Sequence, residues 1–334
     1  MSGHVGVIGD GGWGTALALV LHRNGHRVRI WGPFEEYIAQ VQATHENTKF
    51  LPGVDCPPEL EWTSSREQVV KDATALVLAV PSKFYRDVVT SFAEHIHPDQ
   101  IVVSVTKGLD KSTHKRMTET AQSILNDHPI AALSGPSHAE EVARGVPAAV
   151  VAACADENVA VAVQQLFNND VFRVYTSDDV IGVELGGALK NIIAIAAGVC
   201  DGIGLGDNSK AALMTRGLAE MTRLGSALNA HPSTFSGLSG MGDLIVTCTS
   251  QLSRNRRVGE RLGRGDTLAT IMADTEQVAE GVWNCTNARE LAAEHGIDVP
   301  ITEEVHAIVH ENKNPRDAVT DLLTRDPRPE RDHE

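Results

Sequence analysis

The chain has 334 residues, of which 44 are Asp or Glu and 29 are Lys or Arg, for a formal charge of −15. At roughly 150 residues per domain this length points to two domains, and the acidic balance argues against nucleic acid or an anionic membrane as partner, because its field repels polyanions. Hydrophobic residues at 42% and charged residues at 22% are ordinary globular values and exclude a disordered chain.

The run 4–8 predicts a short buried strand, and its apolar part is too short for a signal peptide. A Gly-rich turn follows, then a helix over 15–24 closed by Gly25 and a second strand over 27–31. The apolar runs 74–80, 101–105, 129–133 and 147–153 read as strands buried on both faces, and 172–175 as a last short one. Helical stretches lie between most of them, which predicts a mostly parallel, doubly wound sheet. After about Thr176 the pattern turns to helix, over 180–199, 210–228, 258–262, 282–295, 301–310 and 315–323. The expected division is therefore a sheet domain over 1–177 and an all-α domain over 178–334. The boundary lies near Ser177-Asp178-Asp179, whose acids suit a helix N-terminus. The charged tail from about 325, with two prolines, is expected to fray. The stretch 181–200 comes nearest to a membrane span but carries Glu184, Lys190 and Asn191, so no integral membrane segment is expected. The cysteines Cys56, Cys154, Cys200, Cys248 and Cys285 are far apart and never form a CxxC pair. This favours small buried thiols in a reducing compartment over disulfides or a thiolate metal site.

Gly9, Gly11 and Gly14 form a G-x-G-x-x-G between a strand and a helix, the context that makes this pattern a dinucleotide signal. Gly9 permits the tight turn, Gly11 lets backbone approach a pyrophosphate, and Gly14 lets the helix pack on the strand. The helix N-terminus then supplies N–H donors and a favourable dipole. The second strand runs into Gly32 and Pro33, with Phe34, Glu35 and Glu36 beyond. No basic residue stands there for a 2′-phosphate, which favours NAD(H) while leaving NADP(H) open; Glu35 or Glu36 could reach a 2′-hydroxyl, but both lie past the usual ribose-binding position and otherwise begin a helix.

Lys190 projects from a stripe of small residues, Gly186, Gly187, Ala194 and Ala197, in a stretch whose other charge is Glu184. It reads either as a snorkelling or salt-bridged lysine, with Glu184 as one partner in reach, or, unpaired and buried, as one with a lowered pKa suited to general acid/base work. Lys107 follows the strand 101–105 at the sheet's C-terminal edge, where open α/β sheets bind ligands, and reads either as a surface lysine or as a second active-site cation. Ser134 to Ala139 (SGPSHA) follows the strand 129–133 in the same way. Ser253-Arg254-Asn255-Arg256-Arg257 is the densest basic run; Ser253 suits an N-cap. Cations in a first helical turn oppose the dipole, a conflict that a bound phosphate relieves. Upstream, 237–242 reads as a Gly-rich loop ending at Asp243.

These motifs together resemble the bacterial-type NAD(P)-dependent sn-glycerol-3-phosphate dehydrogenases. The resemblance covers roughly residues 4–323 and rests on IGDGGWGTALA at 8–18, AVPS at 79–82, TKGL at 106–109 and SGPSHAEE at 134–141. It continues through GVELGGALKNIIAIAAGVCDGIGLGDN at 182–208, TRGLAEM at 215–221, GMGDLIVTCTSQLSRNRR at 240–257 and VAEG at 278–281. The resemblance implies a Rossmann-like domain followed by a helical domain, with Lys190 as general acid/base. Lys107, Asn191, Asp243 and Thr247 stand beside the chemistry. Gly135, Ser137, Asp243, Ser253, Arg254 and Asn255, with Lys107 and Lys190, line the glycerol phosphate site. Gly9, Gly11, Gly12, Trp13, Gly14, Pro33, Lys107, Ala139, Arg254, Val278 and Glu280 contact the dinucleotide. Pro33 stands where NADPH-preferring relatives carry His or Arg, and Gly12 replaces a common Ser. A cytoplasmic homodimer that supplies glycerol 3-phosphate to phospholipid synthesis is also implied. A β-hydroxyacid dehydrogenase of similar architecture and a non-catalytic dinucleotide sensor are the competing readings.

Overall fold

Apolar runs too short to make helices pair instead as strands, and the segments between them cover both faces of the resulting sheet. In the computed structural model, residues 3–126, 128–274, 279–327 and 329–330 are described. Eight strands occur among them: β1 (His4–Ile8), β2 (Val28–Trp31), β3 (Glu61–Thr63), β4 (Ala73–Leu78), β5 (Ile101–Ser104), β6 (Ile130–Ser134), β7 (Ala148–Ala153) and β8 (Phe172–Ser177). They form one sheet in the order β3-β2-β1-β4-β5-β6-β7-β8. All neighbours are parallel except β6 and β7. The flanking helices are α1 (Gly12–Arg23), α2 (Glu35–Thr44), α3 (Arg66–Val70), α4 (Ser82–Phe92), α5 (Met117–Leu125), α6 (Ala139–Ala143) and α7 (Glu157–Phe167). Every residue of β1 is buried because it lies inside the sheet with helices on either side. The chain leaves β3 and returns on the other side of β1 as β4, so the strand order reverses there. That reversal opens a crevice beyond the C-terminal ends of β1 and β4.

Two features depart from the sequence expectation. Strand β3 has only three residues, too few to show a periodicity. Strand β7 runs antiparallel to β6: the intervening segment carries only the five-residue α6, which packs on α1 instead of returning along the sheet. A parallel return needs a longer crossover, usually a full helix.

Beyond β8 the described chain is helical: α8 (Val180–Gly202), α9 (Asp207–Ala227), α10 (Pro232–Phe235), a π-helical turn (Leu238–Gly242), α11 (Asp243–Thr249), α12 (Arg254–Gly263), α13 (Leu268–Ala273), α14 (Gly281–Glu294), α15 (Pro300–His310) and α16 (Pro315–Leu323). The expected loop over 237–242 is thus that π-helical turn, and α12 begins four residues before Val258 because the Ser253 hydroxyl accepts from the Arg256 N–H. Helix α8 is the hub. It is long and apolar enough to cross a membrane by length and composition, yet 83% of the relevant window is buried by its neighbours, as in a core helix.

The closest helix pairing is α8 with α12, and glycine makes it so. A Cβ on Gly259 would lie 1.9 Å from the Ile195 carbonyl oxygen, and one on Gly198 would lie 2.0 Å from that of Arg256. Gly259→Ala is therefore expected to cost about 3 kcal/mol, the upper range for overpacking. A denaturation midpoint equal to the wild type would show that the two backbones are not in contact.

Candidate active site

Strand β1 ends in the Gly-rich turn. Gly9 has φ +125, and a Cβ there would lie 2.5 Å from the Ala79 carbonyl oxygen on β4's C-terminal side. A Cβ on Gly14 would lie 2.2 Å from the Gly9 carbonyl oxygen, so the third glycine sets the contact between helix and turn. In contrast, a Cβ on Gly11 would meet nothing within 4 Å, which leaves open space in front of the turn. Helix α1 starts there with no side-chain cap and no acid in its first turn. Ala139 packs against this turn, 3.8 Å from a Cβ built on Gly12. The Trp13 indole N–H and Asp10 Oδ2 are buried without partners. Open space, uncapped donors and orphaned polar atoms together fit a bound dinucleotide.

On the other side of the crevice three distant segments meet at one carboxylate. Asp243, the first residue of α11, is 1% exposed. Its Oδ2 accepts from Lys107 Nζ at 2.7 Å, and its Oδ1 lies 3.0 Å from Lys190 Nζ. Lys107 also donates to the Gly135 carbonyl at 2.8 Å and reaches Ser137 Oγ at 3.4 Å. Lys190 donates to Thr247 Oγ1 at 2.7 Å, and the Thr247 hydroxyl in turn donates to the Asp243 carbonyl oxygen at 2.6 Å. Burial pulls the Lys190 ammonium down to about 8, with Asp243 opposing and Lys107 adding to the fall. Burial alone would raise the Asp243 carboxyl, but the two ammoniums hold it below its ordinary value. Glu184 does not pair with Lys190: its carboxylate accepts from the Thr118 N–H at 2.8 Å and pairs with Arg116.

A lattice of amides fixes this centre. Asn191 Nδ2 donates to the Gly187 carbonyl at 3.2 Å and more weakly to that of Lys107 at 3.4 Å. Asn255 donates to Asn191 Oδ1 and accepts from the Gly281 N–H, both at 2.9 Å. Arg254, at the first position of α12, is exposed and has no hydrogen-bond or ion-pair partner among the described residues, with the charges of Glu280 and Glu140 nearby. Glu280 accepts from the Ser82 N–H at 3.0 Å and from its hydroxyl. Pro33 is exposed just past β2. Val278 lies outside the described residues.

Three groups lining the crevice escaped the sequence reading. Asn284, fully buried, donates to the Ala188 carbonyl at 3.2 Å and accepts from the Leu109 N–H at 3.3 Å, joining the Lys107 segment to α8. His138 lies within the SGPSHA run; burial first, and then Lys190, keep its imidazole below the usual value. Asp10 occupies the first variable position of the Gly-rich turn. A buried polar residue inside a helical pattern is the signal that marks Asn284.

Family models described as NAD-dependent glycerol-3-phosphate dehydrogenase N-terminus and C-terminus match residues 4–160 and 179–320. The chain belongs to the glycerol-3-phosphate dehydrogenase family. It is 48% identical over 334 residues to glycerol-3-phosphate dehydrogenase [NAD(P)+] of Geobacter sulfurreducens, covering 99% of this chain and 100% of the relative. The corresponding protein of Streptomyces griseus is 46% identical over 97% of both chains. The crystal structure of glycerol-3-phosphate dehydrogenase from Coxiella burnetii superposes with a TM-score of 0.94 at 39% identity, covering 97% of this chain and 100% of that one. The chain is accordingly an NAD(P)-dependent glycerol-3-phosphate dehydrogenase with a small-molecule substrate.

Because Asp243 is the group that favours the Lys190 ammonium, Asp243→Asn in this dehydrogenase should lower the lysine's pKa from about 8 by at least about one unit. NMR titration of the labelled lysine side chain reads this; an unchanged or higher value would mean that Asp243 does not set it.

Proposed function

We propose that Lys190 is the general acid/base of the interconversion of dihydroxyacetone phosphate and sn-glycerol 3-phosphate. The observation that carries this reading is the buried Lys190–Asp243–Lys107 cluster, whose first lysine titrates near 8. The nicotinamide, when bound, accepts the C2 hydride or returns it. Neutral Lys190 takes the C2 hydroxyl proton in oxidation, and the ammonium donates it to the ketone oxygen in reduction. Thr247 and Asp243 hold Nζ in place, so the proton moves at a fixed point. Lys107, anchored by Gly135 and Ser137, adds positive charge where the C2 oxygen becomes negative.

The phosphate is assigned to Arg254, assisted by the amide of Asn255 and the α12 N-terminus capped by Ser253. An exposed arginine with no partner among the described residues, in the first turn of a helix whose dipole opposes it, suits an anion in both charge and geometry. Binding energy from this remote group positions C2. Gly9, Gly11, Gly12, Trp13, Gly14, Pro33, Ala139 and Glu280 form the proposed dinucleotide side. A carboxylate substrate, as in the β-hydroxyacid dehydrogenases, would demand the same cation, and a substrate panel separates the two. The reading further makes the enzyme a cytoplasmic homodimer that supplies phospholipid synthesis.

Lys190→Ala should lose kcat by about two to four orders of magnitude while the Kd for dinucleotide changes little. In the wild type, kcat/KM for oxidation should rise with pH through about 8 as the ammonium loses its proton, and the variant should lose that limb. A variant with near wild-type kcat refutes the assignment. Arg254→Ala should raise KM for dihydroxyacetone phosphate about tenfold to a hundredfold and leave unphosphorylated dihydroxyacetone, a poor substrate throughout, unchanged. Equal losses on both substrates would place the phosphate elsewhere.

A further inference from the structure

Adjacent to the cleft, one buried charge has no role in the centre built around Asp243. Asp10, between Gly9 and Gly11, is 7% exposed, and its Oδ2 has no hydrogen-bond partner among the described residues. The carboxylate is held by its own backbone N–H, and a buried carboxylate oxygen left without a partner is costly unless a ligand, water or ion completes it. Its surroundings are arranged for it. The Asp10 carbonyl accepts from Asn47 Nδ2 at 2.7 Å, and the same amide donates to Thr15 Oγ1 at 2.8 Å, which pins the turn. The carboxylate points at Gly32, where a Cβ would lie 2.5 Å from Oδ2, so only glycine at the end of β2 leaves it room.

We propose that Asp10 is the ribose-binding and specificity-determining residue of this chain, accepting a hydrogen bond from the adenosine ribose of NAD(H) and repelling the 2′-phosphate of NADP(H). In a dinucleotide fold the acid that holds the ribose 2′-hydroxyl stands at the tip of the second strand. That tip here is Gly32, followed by Pro33, and neither offers an acceptor side chain. Asp10 reaches the same point from the neighbouring strand, beside the open space at Gly11. The carboxylates after Pro33, Glu35 and Glu36, are exposed on the first turn of α2. Burial raises the Asp10 carboxyl to about 6, so it is ionised at pH 8. The charged or titratable groups that face it are Lys49 and Tyr37; Lys49 lies over the Phe50 ring at 5.4 Å, and the Tyr37 hydroxyl donates to Asn47 Oδ1 at 2.6 Å.

The proposal rests on the family's use of NAD(P) and is tested by binding without turnover. NADH and NADPH are titrated separately, by nicotinamide fluorescence at pH 8, into wild type, Asp10→Asn, Asp10→Ala and a Glu35→Gln/Glu36→Gln variant. Wild type should bind NADH at least about tenfold more tightly than NADPH. Both Asp10 variants should bind NADH about tenfold more weakly and bring the ratio close to one. The glutamate variant should keep the wild-type ratio. Thermal unfolding of the ligand-free Asp10→Asn protein should occur at or above the wild-type temperature, since an orphaned charge has been removed, and this separates loss of recognition from loss of fold. A ratio unchanged in folded Asp10 variants, a ratio that moves with Glu35 and Glu36, or a wild type that prefers NADPH (which would assign the 2′ position to Lys49) each overturns the proposal. A wild type that binds neither dinucleotide would overturn the assignment of the Gly-rich turn itself, and this proposal with it.

Discussion

One buried carboxylate facing two ammoniums is the interaction on which the rest of the structure depends. Asp243 contacts Lys107, which follows strand β5, and Lys190, which lies midway along α8, while itself starting α11. Each ion contact near 3 Å supplies on the order of 5 kcal/mol at an effective dielectric near 20, and each buried charge costs several kcal/mol to desolvate. Two cations against one anion leave a positive excess. Burial is the main reason Lys190 holds its proton less tightly than a free lysine, with Lys107 adding to the fall and Asp243 opposing it.

The amide lattice and the glycine contacts convert that local electrostatic arrangement into a shaped site. Helix α12 approaches α8 at backbone distance because Gly198 and Gly259 face each other's partner helix. The approach places Asn255 within 2.9 Å of Asn191, one residue from Lys190, and so fixes Arg254 relative to the proton-transferring group. The separation between a phosphate and C2 is a property of the substrate. A helix pair held by backbone contact can match it with little play, whereas long side chains between the helices would leave the distance soft. The apolar character of α8 all around its circumference follows from the same arrangement, since α9, α11, α12, α14 and α15 all pack on it.

Much of this was legible in the sequence, for identifiable reasons. Strands buried on both faces are continuous apolar runs, so β1, β4, β5, β6 and β7 were visible to within a few residues. The three glycines declared the turn because strand, turn and helix follow each other directly. Strand β3 was invisible, being three residues long, and the reversal of β7 depended on where α6 packs, a tertiary fact. The partner of Lys190 was not legible: Arg116 and Thr118 take Glu184 for themselves across 68 and 66 residues of chain, and Lys190 pairs with Asp243 instead. No local pattern encodes such a pairing. Asn284 and Asp10 were missed because their importance lies in what they face, not in their spacing.

The Lys107–Asp243 bond also limits how the enzyme can move. It joins the sheet to the helical region, and it is also part of the cluster to which proton transfer is assigned above, so a motion that separated the two regions there would break that cluster. Glu184 with Arg116 and Thr118, and Asn284 with the Leu109 N–H, cross the same junction and are buried. The contact of Ser82 with Glu280 spans it as well, but it lies beside the proposed dinucleotide side and engages groups that a ligand can compete for.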